Sequence, residues 1–225
     1  MTFSVTGHCE TTGMLGVAIT TSSICVASRC PWARPGVGAV STQNITDPTL
    51  GNTLLDKMAT GQSAPEALSS LLTSDTENLE YRQIALIDAN GGHAAHSGDR
   101  TLGVNNVSFG NHCVAAGNLL DNPTVTDAMA HRFNELKGTH LADRLLTALE
   151  AGLDAGGEGG QVMSAGLLVV DRHPWPLVDL RCDWAESPIR VLRGVWEAYE
   201  PQMDDYVTRA LDPASAPAYG VPGDP

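Results

Sequence analysis

The stretch that decides the fold is TDPTLGNTLLDKMATGQSAPEALSSLL, residues 46–72, which predicts two consecutive helices. Leu50, Leu54 and Met58 recur at every fourth position, and this spacing places them on one buried face of a helix. Gly61 is a typical helix terminator, and SAPE at 63–66 is a capping box that opens a second helix. We therefore expect helices over 49–60 and 64–73 with no strand between them.

A second pair of helices is expected over 123–137 and 140–155, and a further helix starts at Ser187-Pro188. Short apolar or alternating segments typical of strands surround these pairs. An Asn-Gly turn at 90–91 predicts a hairpin between two of them. The predicted strands are 3–6, 14–19, 23–27, 36–41, two within 82–98, 112–118, 164–171 and 177–183.

Helices that come in pairs between groups of strands argue against a parallel sheet, in which one helix would follow each strand. The order favours an α+β fold with two mainly antiparallel sheets and helix pairs on their outer faces. A four-layer αββα sandwich is the natural closure of such a chain, because the two inner sheet faces then cover each other. We expect one domain over 1–210 and a Pro/Ala-rich tail over 211–225.

Composition excludes several classes of partner. The formal net charge is −13 with 13 basic residues, so nucleic acid is not an expected partner. No apolar run has membrane-spanning length, and no basic segment followed by an apolar one opens the chain, so we expect a cytoplasmic protein that does not bind membranes. Four tryptophans and an apolar-leaning tail predict a homodimer or larger homo-oligomer.

No cofactor or metal site is expected. The five cysteines are scattered singly, and most are interpreted as small core residues. His93 and His96 would point to opposite faces of a strand, with no acidic residue at ligand spacing. The Gly-rich segment AGGEGG at 155–160 lacks the Lys-Ser/Thr of a phosphate-binding loop and is interpreted as a mobile connection.

The first residues, MTFSV, raise a catalytic hypothesis. Methionine is removed when the next side chain is small, and Thr2 would then carry a hydroxyl and a free α-amine on one residue. An α-amine titrates at about pH 8 and is a suitable base for that hydroxyl. On a strand, Thr2, Ser4 and Thr6 share one face, which we expect to open toward a cleft. An ordinary first strand with one solvated face gives the same pattern.

Five segments carry a family resemblance: MTFSV at the start, PWARPGVGAVSTQ at 31–43, AAGNLL at 115–120, SAGLLVVD at 164–171 and VDLRCD at 178–183. Over its first 210 residues or so the chain resembles domain-of-unknown-function family 1028 (DUF1028), which is assigned to the N-terminal-nucleophile (Ntn) hydrolases. The resemblance implies the αββα sandwich and hydrolysis of a small amide or peptide by Thr2. Met163 departs from the family pattern, which usually has glutamine there.

The resemblance also suggests donors for the negative charge that develops on the substrate carbonyl oxygen. Gln43 and Asn44 end a strand in STQN, and Asn118 ends another in GNLL. The alternative for each is a turn residue that satisfies local backbone groups.

Three more residues are candidates by the same analogy. Arg34 is preferred to Arg29 as the cation that keeps the Thr2 amine neutral, with an ordinary salt bridge as the alternative. Ser23, beside Ser22, and Ser164 are candidate supporting hydroxyls. A non-catalytic member of the fold, acting as a ligand-binding or assembly module, is the alternative function.

Overall fold

Two antiparallel sheets form the body of the chain, which the computed structural model describes over residues 1–220. The strands are β1 (Thr2–His8), β2 (Leu15–Thr21), β3 (Pro31–Arg34), β4 (Gly38–Asn44), β5 (Arg82–Asp88), β6 (His93–Ser97), β7 (Asn106–Gly110), β8 (Cys113–Asn118), β9 (Ser164–Val170) and β10 (Val178–Cys182). Within the described residues the larger sheet has the order β10-β9-β2-β1-β8-β7, and the smaller has the order β3-β4-β5-β6. β1 is therefore a central strand, paired on both sides.

The helices are α1 (Thr49–Ala59), α2 (Ala64–Leu72), α3 (Val125–Glu135), α4 (Leu141–Asp154), α5 (Pro188–Tyr199) and α6 (Met203–Leu211). The two predicted pairs are confirmed, with ends within two residues of the expected ones. The capping box is present: Ser63 accepts from the Glu66 backbone N–H, and the Glu66 carboxylate accepts from the Ser63 backbone N–H. The sequence analysis does not predict α6.

The helices lie against the sheets in the way that the α+β prediction requires. α3 and α4 pack on β1, β2 and β8 of the larger sheet, and α1 and α2 pack on the smaller sheet. Apolar residues of β2, β4, β5 and β8 fill the space between the two sheets. The antiparallel α+β prediction is confirmed.

β1 separates two different environments. Phe3 and Val5 are fully buried in the core that α3 and α4 cover. On its other face Ser4 and Thr6 are also fully buried, and the Ser4 hydroxyl donates to Gln43 of the opposite sheet at 2.7 Å. The expectation that this polar face opens toward a cleft is wrong for Ser4 and Thr6, because the smaller sheet covers them.

The predicted strand over 23–27 is wrong. Cys25 has φ 55°, and Val26–Ser28 form a 3₁₀ turn. Side chains satisfy this backbone in place of a neighbouring strand, since the Ser164 hydroxyl accepts from Val26 N and Arg29 donates to two carbonyls. The short strands β3 and β7 were not predicted, and both are sheet edges.

The C-terminal segment returns onto α6. Arg209 donates to the Pro217 carbonyl at 3.0 Å, and its guanidinium lies 3.9 Å from the centre of the Tyr219 ring. The last five residues of the predicted tail 211–225 lie outside the described part of the chain. Among the tryptophans Trp196 is buried and Trp184 is 58% exposed, and the homo-oligomer stays a prediction. No helix within residues 1–220 is both long and apolar enough to cross a bilayer.

Candidate active site

Thr2 begins the central strand and lies at one end of the space between the sheets. It pairs with Asn118 on β8, and directly opposite residues on neighbouring strands present their side chains on the same face. Thr2 is 6% exposed and Asn118 is fully buried, whereas Met1 is 39% exposed. The Thr2 side chain is therefore enclosed by neighbours that do not adjoin it in sequence.

A chain of hydroxyl groups leads away from Thr2. Its Oγ1 lies 3.2 Å from Thr21 Oγ1 on β2, and both hydroxyls are within hydrogen-bonding distance of the Met1 carbonyl oxygen. Thr21 Oγ1 lies 3.3 Å from Ser23 Oγ, which accepts from Arg29 Nη2 at 2.7 Å. This places a cation two hydroxyl groups away from Thr2. Sequence reasoning missed Thr21, which is one of four consecutive hydroxyl residues, 20–23, at the end of a strand.

The two candidate arginines have different positions. Arg29 also donates to the Ile24 and Cys25 carbonyls, at 2.6 Å and 2.8 Å, and so fixes the turn that carries Ser23. Arg34 instead forms an ion pair with Asp56 of α1 at 2.8 Å. The structure thus joins Arg29, and not the preferred Arg34, to the hydroxyl chain of Thr2.

Ser164 supports this turn from β9 without bonding to Thr2. Its hydroxyl donates to the Ser23 carbonyl at 2.6 Å and accepts from Val26 N at 3.1 Å. One side chain therefore satisfies two backbone groups of this turn. Its place in the structure is next to Ser23, at the outer end of the hydroxyl chain.

Gln43 and Asn118 belong to a buried amide network. Gln43 Nε2 and Asn118 Nδ2 both donate to Gln83 Oε1, at 2.8 Å and 3.0 Å. Gln43 Oε1 in turn accepts from Ser4 and Ser41. Sequence reasoning missed Gln83, although a glutamine inside the apolar strand RQIALID is an available signal. The network fixes the orientation of the Asn118 side chain beside Thr2.

Asn44 lies outside the network. It has φ 72°, its Nδ2 donates to the Tyr81 carbonyl at 2.6 Å, and its Oδ1 accepts from Leu102 N at 3.2 Å. It therefore joins two loops at the end of β4. Like the turn residue that was the alternative for it, Asn44 satisfies backbone groups, but these groups are distant in sequence and not local.

A buried carboxylate, Glu158, completes the site and was not among the candidates. It is only 5% exposed, and its Oε2 accepts from Ser22 N at 3.3 Å. Burial raises the pKa of Glu158 to about 7, although the nearby N-terminal amine and Ser22 lower it. The segment 155–160, interpreted from its glycines as mobile, is held by a bridge between Glu158 and Leu120 and by Gly159 N donating to the Leu119 carbonyl.

Two buried acceptors near Thr2 have no donor among residues 1–220. They are Asn118 Oδ1 and Glu158 Oε1. A buried polar atom without a partner costs about 1–3 kcal/mol, so native proteins rarely keep one without a reason. Both atoms belong to residues that adjoin the N-terminal segment, Asn118 by strand pairing and Glu158 by its electrostatic interaction with the N-terminal amine.

A cleft of about 370 Å³ opens beside Glu158. Its walls combine apolar side chains with a second acid, and the lining includes Leu153, Glu158, Gly160, Val162, Glu186 and Ile189. Met1 Cε lies 3.2 Å from the position that a Cβ on Gly160 would take, so the Met1 side chain rests at this edge of the cleft.

Comparison with known proteins gives the family. The model of DUF1028, a family of unknown function, matches residues 2–192. The chain belongs to this family. A crystal structure of a DUF1028 protein from Silicibacter pomeroyi is 28% identical, with a TM-score of 0.80 over 88% of each chain.

Other solved structures resemble this chain less closely. Anbu (ancestral beta-subunit) from Yersinia bercovieri is 9% identical with a TM-score of 0.41, over 90% of this chain and 96% of that one. An Anbu Gly-1 mutant from a Hyphomicrobium strain is 12% identical with a TM-score of 0.38, over 90% and 96%. At these TM-scores the likeness says nothing about activity. No protein of curated function matches the sequence.

Proposed function

We propose that this DUF1028 protein is an amide hydrolase in which Thr2, freed by removal of Met1, is the nucleophile for a small amide or peptide. The proposal includes the four-layer αββα arrangement of Ntn hydrolases, with the helix pairs as outer layers. The observation that carries it is a pair of buried acceptors beside the N-terminal segment, Asn118 Oδ1 and Glu158 Oε1, for which residues 1–220 supply no donor.

A free α-amine on Thr2 would supply the missing donors. With Met1 attached, the Thr2 nitrogen is a peptide N–H, and the backbone of β1 fixes its direction. After Met1 removal the same nitrogen carries up to three N–H bonds that can turn toward neighbouring oxygens. A site that leaves acceptors unpaired until the amine is free fits a residue whose α-amine works as a base.

The reaction would proceed in two balanced steps. Thr2 Oγ1 adds to the amide carbonyl carbon while its proton passes to the α-amine. The C–N bond then breaks, the leaving amine takes that proton, and an ester to Thr2 remains. Water adds to the ester with the amine again as base, the C–O bond breaks, and the carboxylic acid and the free hydroxyl are released.

Thr21 is our candidate for stabilising the carbonyl oxygen. The Met1 carbonyl already lies next to the Thr2 hydroxyl, and the Thr21 hydroxyl donates to its oxygen. A substrate carbonyl at the same place would meet the same donor. Gln43 Nε2 and Asn118 Nδ2, the donors expected from the sequence, are directed at Gln83 and would act by holding the site in shape.

Covalent labelling tests the proposal. The protein is prepared behind a cleavable leader that leaves Thr2 as the first residue, and it is treated with a β-lactone. The lactone ring opens when a hydroxyl oxygen adds to its carbonyl, so the label adds its whole mass without another reagent. We expect one label, on Thr2, in the wild type, slower labelling of Thr2→Ser and none of Thr2→Ala.

Thr6→Ala is the matched control. Thr6 shares the buried face of β1 with Thr2, and its hydroxyl has no partner within the described residues, so the same side-chain loss occurs outside the site. We expect Thr6→Ala to label like the wild type. A Thr2-first protein that takes no label, or a Thr2→Ala variant that labels normally, would contradict the hydrolase and favour a non-catalytic binding module.

A further inference from the structure

A second polar pocket lies at the opposite end of β1 from Thr2. It has a volume of about 110 Å³ and is formed where the end of β1 meets the connection between α3 and α4. Six steps along the strand, at roughly 3.3 Å each, place His8 about 20 Å from Thr2, so the pocket is distinct from the candidate active site. Its lining residues include His8, Cys9, Glu10, His112, Lys137 and Arg144.

Arg144 is a buried cation in this pocket. It is 5% exposed, and burial lowers the pKa of its guanidinium without making it neutral. Within residues 1–220 it has no carboxylate at ion-pair distance. Its Nε donates to the Phe133 carbonyl at 3.4 Å, its guanidinium also interacts with the Cys9 side chain, and its Cζ lies 4.0 Å from the centre of the Phe133 ring. A buried charge normally has an opposite charge beside it, because desolvation is otherwise too costly.

The position of Arg144 in its helix adds to this cost. α4 begins at Leu141, so Arg144 lies in the first turn, where the helix dipole is positive. Anions, and not cations, are stabilised at that end of a helix. Asp143 is the acidic residue of this turn and is paired with Arg193, so neither the helix dipole nor this carboxylate offsets the Arg144 charge.

The acid in the pocket is already paired. Glu10 contacts Lys137 Nζ and lies 3.1 Å from His112 Nε2. His8 Nδ1 lies 3.1 Å from His112 Nδ1, and burial lowers the pKa of His8, followed by the effect of His112. Lys137 thus balances Glu10, and the Arg144 charge remains, in a chain whose net charge is −13.

We propose that this pocket binds a small oxyanion, a carboxylate or a phosphate group, through the Arg144 guanidinium. Planar guanidinium groups pair with both oxyanions through two parallel hydrogen bonds. Asn134 and Thr11 line the same pocket and offer neutral donors for further oxygens. The ligand would supply the negative charge that Arg144 lacks.

Cys9 gives an internal reporter. Its Sγ lies 3.3 Å from Thr11 Oγ1 in the same pocket. Burial acts to raise the pKa of Cys9, but hydrogen bonds from Thr11 and Thr12 lower it to about 7. An anion next to Cys9 disfavours the thiolate, which is the reactive form. Anion binding should therefore slow the alkylation of Cys9 at pH 7.

The test measures thermal unfolding and Cys9 alkylation by iodoacetamide in the full chain. Sodium phosphate and sodium acetate are titrated at constant ionic strength against sodium chloride. We expect a saturable rise in the unfolding temperature and a matching fall in the alkylation rate, because a ligand that binds only the folded state stabilises it. Phosphate alone or acetate alone as the active ion would identify which oxyanion the pocket takes.

Arg144→Met should weaken the effect of the active ion by roughly tenfold or more, as expected for loss of a charge-assisted hydrogen bond. Arg34→Met, which removes an exposed arginine, is the matched control and should bind like the wild type. Lys137 also lines the pocket, and its side chain is 62% exposed. Lys137→Ala should also weaken binding, and this variant provides the test if Arg144→Met does not fold. Equal responses to chloride and both oxyanions, or unchanged binding in both pocket variants, would overturn the proposal and leave the Cys9 thiolate as the counter-ion of Arg144.

Discussion

Replacement of Glu158 by glutamine tests the electrostatics of the candidate site most directly. Glutamine keeps the shape of the side chain but cannot ionise. Burial raises the pKa of Glu158 from 4.5 to about 7 in the folded protein, and the ordinary value applies in the unfolded chain. The two states therefore bind different numbers of protons between pH 4.5 and 7.

The sign and size of the pH effect on the free energy of unfolding follow from this difference in bound protons. Because the folded-state pKa is the higher one, the folded protein holds the extra proton, and stability falls as pH rises through the window. The contribution is fully present below pH 4.5 and lost above about pH 7. A shift from 4.5 to about 7 corresponds to about 3 kcal/mol, since one pKa unit is worth 1.36 kcal/mol. At 5% exposure Glu158 has little solvent to screen this effect.

The assay is urea unfolding of the wild type and Glu158→Gln at several values from about pH 4.5 to pH 8. We expect the free energy of unfolding of the variant, relative to the wild type, to rise by about 3 kcal/mol across this range. Glu186→Gln is the control, because Glu186 lines the same cleft but is exposed, and its curve should run parallel to that of the wild type. Parallel curves for Glu158→Gln would refute the reasoning that burial controls this carboxylate.

Two further predictions use matched pairs of variants. Gly51→Ala in α1 should destabilise the protein by roughly 1–3 kcal/mol, because the new Cβ would lie 2.2 Å from the Trp32 ring. Gly194→Ala in α5 should stabilise the protein by about 0.5–1 kcal/mol, because the space around Gly194 is open and alanine favours the helix. Chemical denaturation checks both, and equal effects would contradict the packing at Trp32. Arg29→Met should slow β-lactone labelling of Thr2 several-fold because the turn that carries Ser23 loses its fixed position, while Arg34→Met should leave the rate unchanged. A larger loss in Arg34→Met would reverse the assignment.

The candidate site shows which functional residues can be identified from the sequence and which cannot. Thr2 could be singled out because its chemistry depends on its neighbour Met1, which is adjacent in the chain. The sequence favours Arg34 over Arg29 only because Arg34 lies in the PWAR segment, although both arginines flank the same CPWA stretch. Their roles depend on a turn in which Arg29 bonds carbonyls four and five residues earlier, and on α1, which brings Asp56 to Arg34.

Glu158 shows a second kind of limit. Four glycines around it predict a chain without fixed structure. The bridge to Leu120 and the hydrogen bond to Ser22 hold it instead, and both partners are distant in sequence. Gln83 was missed for a related reason. The strand pattern indicates that Gln83 is buried, but it does not show that the Gln43 and Asn118 side chains donate to it.

The sequence by itself determined the helix pairs, the capping box of α2 and the antiparallel fold class, because a capping box and periodic apolar faces depend on residues within about four positions of each other. The tertiary structure decided what surrounds Thr2. Thr21 and Asn118 reach it from 19 and 116 residues away in the chain, and the bridge between Leu120 and Glu158 brings Glu158 close to the N-terminal amine. The alternating pattern of β1 sets which side chains face inward, but which strands pair with it depends on the packing of elements that are distant in sequence.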